Sequence, residues 1–198
     1  MLLLICGLVL FFAPHSISIV SHSTRNAIAR KLGEGAYKGI YSLISLAGLL
    51  LIIKGYAVAR LDPLILYIPP APLKHISALL MLLVFPLLIA TYLPGKIRAT
   101  LKHPMLVATK LWAFSHLLAN GMLADVILFG SFLIWAVADR ISVKRRAPTP
   151  ASDKHFNSIK LSHPSIINDI IAVTLGVALY VLFVLWAHKA WIGVAPFS

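Results

Sequence analysis

The chain has 198 residues, enough for one domain; 60% are hydrophobic, only 12% are charged, and the mean hydropathy is +0.90. A soluble domain carries about 25% charged and about 45–50% apolar residues, so this balance excludes a disordered chain, a nucleic-acid-binding domain and a secreted disulfide scaffold, and leaves a polytopic membrane protein. The formal net charge of +12 then belongs to Lys/Arg loops facing the cytoplasm and anionic lipid, and the single cysteine, Cys6, lies inside the first apolar run as a small hydrophobe.

The expected fold is all-α, a transmembrane helical bundle of about six spans forming one domain over residues 1–198. The first run, about residues 2–21, is long enough for a ~30 Å hydrocarbon core. No basic residue precedes it and no clear cleavage site follows, so it reads as a retained span. The second run is about Tyr37–Ala59, with Gly39, Ser42, Ser45 and Gly48 as a small-residue stripe for helix packing. The second loop, Leu61–Leu73, is unusually apolar, has four prolines, and is expected in the membrane interface, over the bundle like a lid.

The third run is about His75–Tyr92, with Pro86 tolerated as a kink. The fourth starts at His103-Pro104 and stops at Asn120-Gly121, a helix-stop and turn signal. At about 16 residues and ~24 Å it is short for a span. It forms a tight helical hairpin with the fifth run, about Met122–Ala138. Residues 140–165 are the one long polar stretch, expected as a cytoplasmic loop, and the sixth run is about Ile166–His188.

The loops set the orientation. The first (Arg25, Arg30, Lys31, Lys38), third (Lys96, Arg98, Lys102) and fifth (Arg140, Lys144, Arg145, Arg146, Lys154, Lys160) hold 13 of the 18 basic residues. The positive-inside rule puts these loops in the cytoplasm and both termini in the periplasm of a bacterial inner membrane. Tyr37 and Tyr41 then sit at the inner boundary, and Trp186 and Trp191 at the outer one.

Ionisable residues inside a membrane are costly and mark function. They are His15, Lys54, Lys110, His116 and Asp125, with His103 and Asp139 at the inner boundary. His22, His75, His155, His163 and His188 read as solvated or interfacial, and Lys54 can snorkel. His116 lies four residues before Asn120 and Asp125 five after it. A tight hairpin brings them to similar depth, where Asp125 can orient the imidazole from behind, as it would for a metal-bound histidine. The alternative is a plain buried His–Asp clasp. Two intramembrane histidines, His15 and His116, are the minimum for six-coordinate b-type haem. His15 lies ~9 Å from the inner end of its span and His116 ~20 Å, a gap that tilt must close; otherwise His15 with His103 is the alternative site. Covalent c-type haem, serine elbows, phosphate loops and zinc signatures have no motif here. Glu34 is the only glutamate, so paired-carboxylate chemistry is poorly supplied.

Several segments carry a resemblance. They are Phe12-Ala-Pro-His15-Ser16, Tyr37-Lys-Gly-Ile-Tyr-Ser-Leu, Gly55-Tyr56-Ala-Val-Ala-Arg60, His103-Pro-Met-Leu, and the run from Lys110 through His116 and Asn120-Gly121 to Ala124-Asp125, Phe129-Gly-Ser-Phe and Ala138-Asp139-Arg140. In this order they resemble the NnrU family of bacterial inner-membrane proteins over nearly the whole chain. The resemblance implies a multi-pass protein of nitrite and nitric oxide metabolism in denitrifying bacteria. NnrU is similar in turn to 15-cis-zeta-carotene isomerase, a plastid membrane enzyme with a b-type haem, whose two histidines match His15 and His116. The isomerase's cysteine falls at Ala113, so a His/Cys exchange on iron is not carried over. A fainter likeness to isoprenylcysteine-type methyltransferases rests on His103-Pro104, but the acidic residues of their cofactor motif are missing after the fifth run.

Three readings follow. In the first, haem b between His15 and His116 binds a small diatomic or passes an electron. In the second, the protein is an enzyme acting on a lipid-soluble substrate, isomerase-like or less readily methyltransferase-like. In the third, it is a membrane scaffold without chemistry. In all three the partner is the lipid bilayer and not nucleic acid.

Overall fold

A computed structural model describes residues 1–145 and 164–196. Its helices are α1 (Leu2–Val20), α2 (His22–Leu32), α3 (Glu34–Ala59), α4 (Pro72–Ala90), α5 (Lys96–Leu101), α6 (Pro104–Ala119), α7 (Leu123–Arg145) and α8 (Ile166–Leu182). The last continues through a π-helical turn (Phe183–Ala187) into α9 (His188–Ile192). Among the described residues there is no strand, only an isolated antiparallel bridge between Ile65 and Met122.

The protein is a helical, polytopic membrane protein. Five helices are long and apolar enough to cross a membrane: α1, α3, α4, α7 and the Ile166–Ile192 helix. The fourth expected span corresponds to α6, whose 16 residues leave it shorter than those five. Its first residue, Pro104, occupies a position where the missing N–H costs nothing. Only Asn120–Met122 separate α6 from α7.

Some boundaries differ from expectation. The fifth run does not end at Ala138 but continues to Arg145, so residues 140–145 are helix rather than loop. Residues 146–163 of the polar stretch, with His155 and His163, lie outside the described residues. The first and third basic loops contain the short helices α2 and α5. Ser21 ends α1 with extended backbone, and its hydroxyl accepts the Thr24 N–H at 3.2 Å, capping α2. Gly33, at φ +83°, permits the break between α2 and α3.

The described chain divides into two compact units, Met1–Ile68 with Asn120–Lys144, and Pro69–Ala119 with the described residues of Arg145–Ser198. In the first, α1 and α3 run antiparallel at close approach. A Cβ on Gly7 would lie 2.6 Å from Ile52 N, one on Gly48 2.6 Å from Phe11 N, and one on Gly55 would run into the Leu4 backbone. The contact therefore follows Gly48, Ile52, Gly55 and Ala59, all buried. The expected stripe was shifted: Gly48 belongs to it, but Gly39 is exposed with nothing near its Cβ position. Small residues lie inside, while Leu43, Leu50 and Ile53 point out at 58–69% exposure. That arrangement suits a surface solvated by lipid. Ring contacts of Phe12 and His15 with Phe132 and Trp135, and Ser142 beside Ile19, set α7 parallel to α1.

In the second unit α4 and α8 are antiparallel. Gly176 packs on Pro86, where a Cβ would meet the proline backbone, and the Tyr180 hydroxyl donates to Ala78 O at 3.0 Å. The Ser77 hydroxyl donates to Ser115 O at 2.7 Å, joining α4 to α6. The buried Asp169 carboxylate accepts the Lys96 and Ile97 N–H groups at 2.8 and 3.1 Å and so caps α5.

Candidate functional site

The first unit gathers its polar chemistry around His15. Pro14 lacks an N–H and so removes the helical donor that the Leu10 carbonyl would receive. One residue on, His15 Nδ1 lies 2.7 Å from Phe11 O. A carbonyl oxygen only accepts, so Nδ1 carries the proton and Nε2 carries the lone pair. No other hydrogen bond reaches this ring among the described residues. Phe11 stacks on the imidazole at 4.3 Å, Tyr41 lies at 4.9 Å, and Trp135 stands edge-on at 5.8 Å. Phe12 and Phe132 extend the aromatic wall, at 4.9 Å from each other. Trp135 Nε1–H is buried with no acceptor among the described residues. Asp139 follows one turn along α7 from Trp135.

Asp125 is fully buried at the other end of this unit. The Tyr56 hydroxyl donates to its Oδ1 at 2.6 Å, and the Met122 N–H donates to its Oδ2 at 2.9 Å. Met122 immediately precedes α7, so the carboxylate reaches back to cap its own helix, where the helix dipole also favours an anion. The structure thus gives Asp125 two partners that the sequence reading did not assign. Tyr67 closes the same end by donating its hydroxyl to Asn120 O at 2.7 Å. Burial, and then the Asp125 charge, hold its phenol above the usual range, so it remains a donor.

His116 belongs to the second unit. Its Nδ1 lies 2.8 Å from Trp112 O, four residues back, with the Trp112 ring 5.4 Å away. The tautomer is the same as at His15, with the lone pair on Nε2. Next to it Ser115 is fully buried; its carbonyl accepts from Ser77 and its hydroxyl has no partner among the described residues. His103, at the start of α6, also belongs to this unit. His15 and Asp125 therefore fall in one compact unit, His116 and His103 in the other. Among the described residues no three His, Cys, Asp or Glu side chains gather as a metal ion held by protein alone would require. Haem asks less of the chain, since its macrocycle supplies the equatorial nitrogens.

A family model described as NnrU protein matches residues 3–196. The chain belongs to the NnrU family. No curated protein and no solved structure matches it. Within this NnrU-family chain, Tyr56, Trp135 and Asp169 carry no site role in the sequence, and Tyr41, expected only as an interfacial aromatic, lies against His15. Tyr56 and Tyr41 stand inside motifs that carry the family likeness. An acidic residue four places after Ser165, at the head of an apolar run, was the available signal for Asp169.

Proposed function

We propose that this NnrU-family membrane protein serves nitrite and nitric oxide metabolism by holding a b-type haem through the Nε2 of His15. One observation carries the reading: the imidazole is fixed through Nδ1–H to Phe11 O, and its Nε2 lone pair has no protein partner among the described residues. Axial histidines are oriented in this way, the outer nitrogen donating to a carbonyl and the inner one facing the metal. Phe11, Tyr41 and Trp135 form aromatic walls beside the half-buried ring. His116, in the other compact unit, has the same Nδ1–H bond to a backbone carbonyl, and the spectra of single variants decide whether it too contributes to haem binding. Bound haem would supply a redox-active iron able to take a small diatomic or pass an electron. The link to nitrite and nitric oxide comes with the family.

The test is an absorption spectrum of the protein purified from haem-replete membranes. A Soret band lost in His15→Ala and retained in His155→Ala supports the reading; a wild-type protein without the band defeats it.

A second reading, an enzyme acting on a lipid-soluble substrate, is favoured by one feature. An open apolar groove of about 430 Å³ runs along α1 past Ile5, Cys6, Val9, Leu10 and Ala13, with Leu51 of α3 at its side. It ends two residues short of His15. Analysis of lipid co-extracted with the protein tests it: a polyene or other non-phospholipid ligand at stoichiometric level supports it, and phospholipid alone opposes it.

A further inference from the structure

The segment after α3 displays large aliphatic side chains on a fixed frame. Leu61 and Ile68 are each 83% exposed, and Leu64, Ile65 and Leu66 between them are 51–62% exposed. The frame is built from backbone. Leu66 N–H and Tyr67 N–H both donate to Gly121 O, at 2.8 and 3.2 Å, and Leu123 N–H donates to Leu64 O at 2.8 Å. The Tyr67 hydroxyl adds its bond to Asn120 O. Gly121 is what permits this approach, since a Cβ there would run into the Tyr67 carbonyl. The aliphatic groups are thus held outward by a structure that spends its polar groups on itself.

Proline and local hydrogen bonds remove some of the segment's donors. Pro63, Pro69 and Pro70 have no N–H, Leu61 N–H is bonded to Val58 O at 3.1 Å, and Leu66 and Tyr67 are bonded as described. The N–H groups of Asp62, Leu64, Ile65 and Ile68 have no backbone partner among the described residues. Unsatisfied backbone is costly in the hydrocarbon core, so this backbone belongs at the hydrated headgroup level with only its side chains reaching the acyl chains. In water, five such side chains side by side would be an aggregation surface. Asp62 is the only charged residue between Leu61 and Ile68, and Arg60 and Lys74 bracket the stretch, as interfacial anchors do.

We propose that residues 61–68 lie within the membrane interface, with Leu61, Leu64, Ile65, Leu66 and Ile68 seated among phospholipid acyl chains and Tyr67 at headgroup level. The segment is a rigid wedge, and its bonds to Gly121 and Leu123 tie the exit of α3 and the entry of α7 to one depth in the bilayer. This inference does not depend on haem.

The probe is an environment-sensitive fluorophore on Ile68→Cys in a Cys6→Ser background, with the full chain in phospholipid nanodiscs so that both faces are open to solvent. Ile68 is mostly exposed, so its replacement removes little packing. A nitroxide placed near the headgroup end of the lipid chains should remove most of the emission, and aqueous iodide should remove little. A second label at Leu61→Cys should behave alike. Strong iodide quenching without nitroxide quenching overturns the proposal. Protection from both quenchers also overturns it, because a protein surface and not lipid would then cover the segment.

Discussion

The Tyr56 hydroxyl donates a 2.6 Å hydrogen bond to the Asp125 carboxylate, across 69 residues of sequence and at full burial of the acid. The bond joins the end of α3 to the start of α7, and the Met122 N–H on the other carboxylate oxygen makes the same acid a helix cap.

Removing the phenol oxygen should therefore be expensive. A hydrogen bond to a charged, buried group contributes about 1.5–3 kcal/mol, so Tyr56→Phe should lower stability by about 2 kcal/mol. Asp125→Ala should cost more, because it leaves both the hydroxyl and the cap unpaired. Thermal unfolding in detergent measures both. A double variant no worse than Asp125→Ala confirms direct coupling; additive losses would show that the two act separately.

The glycines of α3 separate packing from propensity. Gly48→Ala and Gly55→Ala place a methyl against the backbone of α1 and should destabilise by about 1–3 kcal/mol through overpacking. Gly39→Ala meets nothing and should stabilise by up to about 1 kcal/mol through helix propensity. Equal effects at Gly39 and Gly55, in the same unfolding assay, would mean that α1 and α3 do not pack in this way.

How much of this was legible follows from where the information lies. Uninterrupted apolar runs announce α1, α3, α4 and α8, because crossing lipid fixes their length. Pro104 and Asn120-Gly121 bound α6 because proline and glycine constrain backbone locally. The short helices α2 and α5 were not legible from their own residues. Ser21 holds the first from just outside it, and the second depends on Asp169, more than seventy residues away. His15 stood out as a charge-capable residue in an apolar run. Its orientation, and the walls contributed by Tyr41 and Trp135, required the pairing of α1 with α3 and α7. Asp125 was recognised as costly, but its partner Tyr56 sits on a helix that no local pattern links to it.

Topology is open to direct test. The clustering of 13 basic residues in alternate connecting stretches predicts both termini in the periplasm. Alkaline phosphatase fused after Ala195 should be active, and the same enzyme fused after Lys102 should be inactive. The reverse pattern would invert the orientation, and equal activity would contradict an odd number of crossings between Lys102 and Ala195.

The role of His15 as a haem ligand is tested most directly by the spectrum of the purified protein. Wild-type protein should show a Soret band, His15→Ala should lack it while still folding with the wild-type helical circular dichroism, and His155→Ala should keep it. A His116→Ala variant that also loses the band, or shifts it from a six- to a five-coordinate form, assigns the second nitrogen. A folded His15→Ala protein that retains the wild-type spectrum, or a wild-type protein with no Soret band, would contradict the claim.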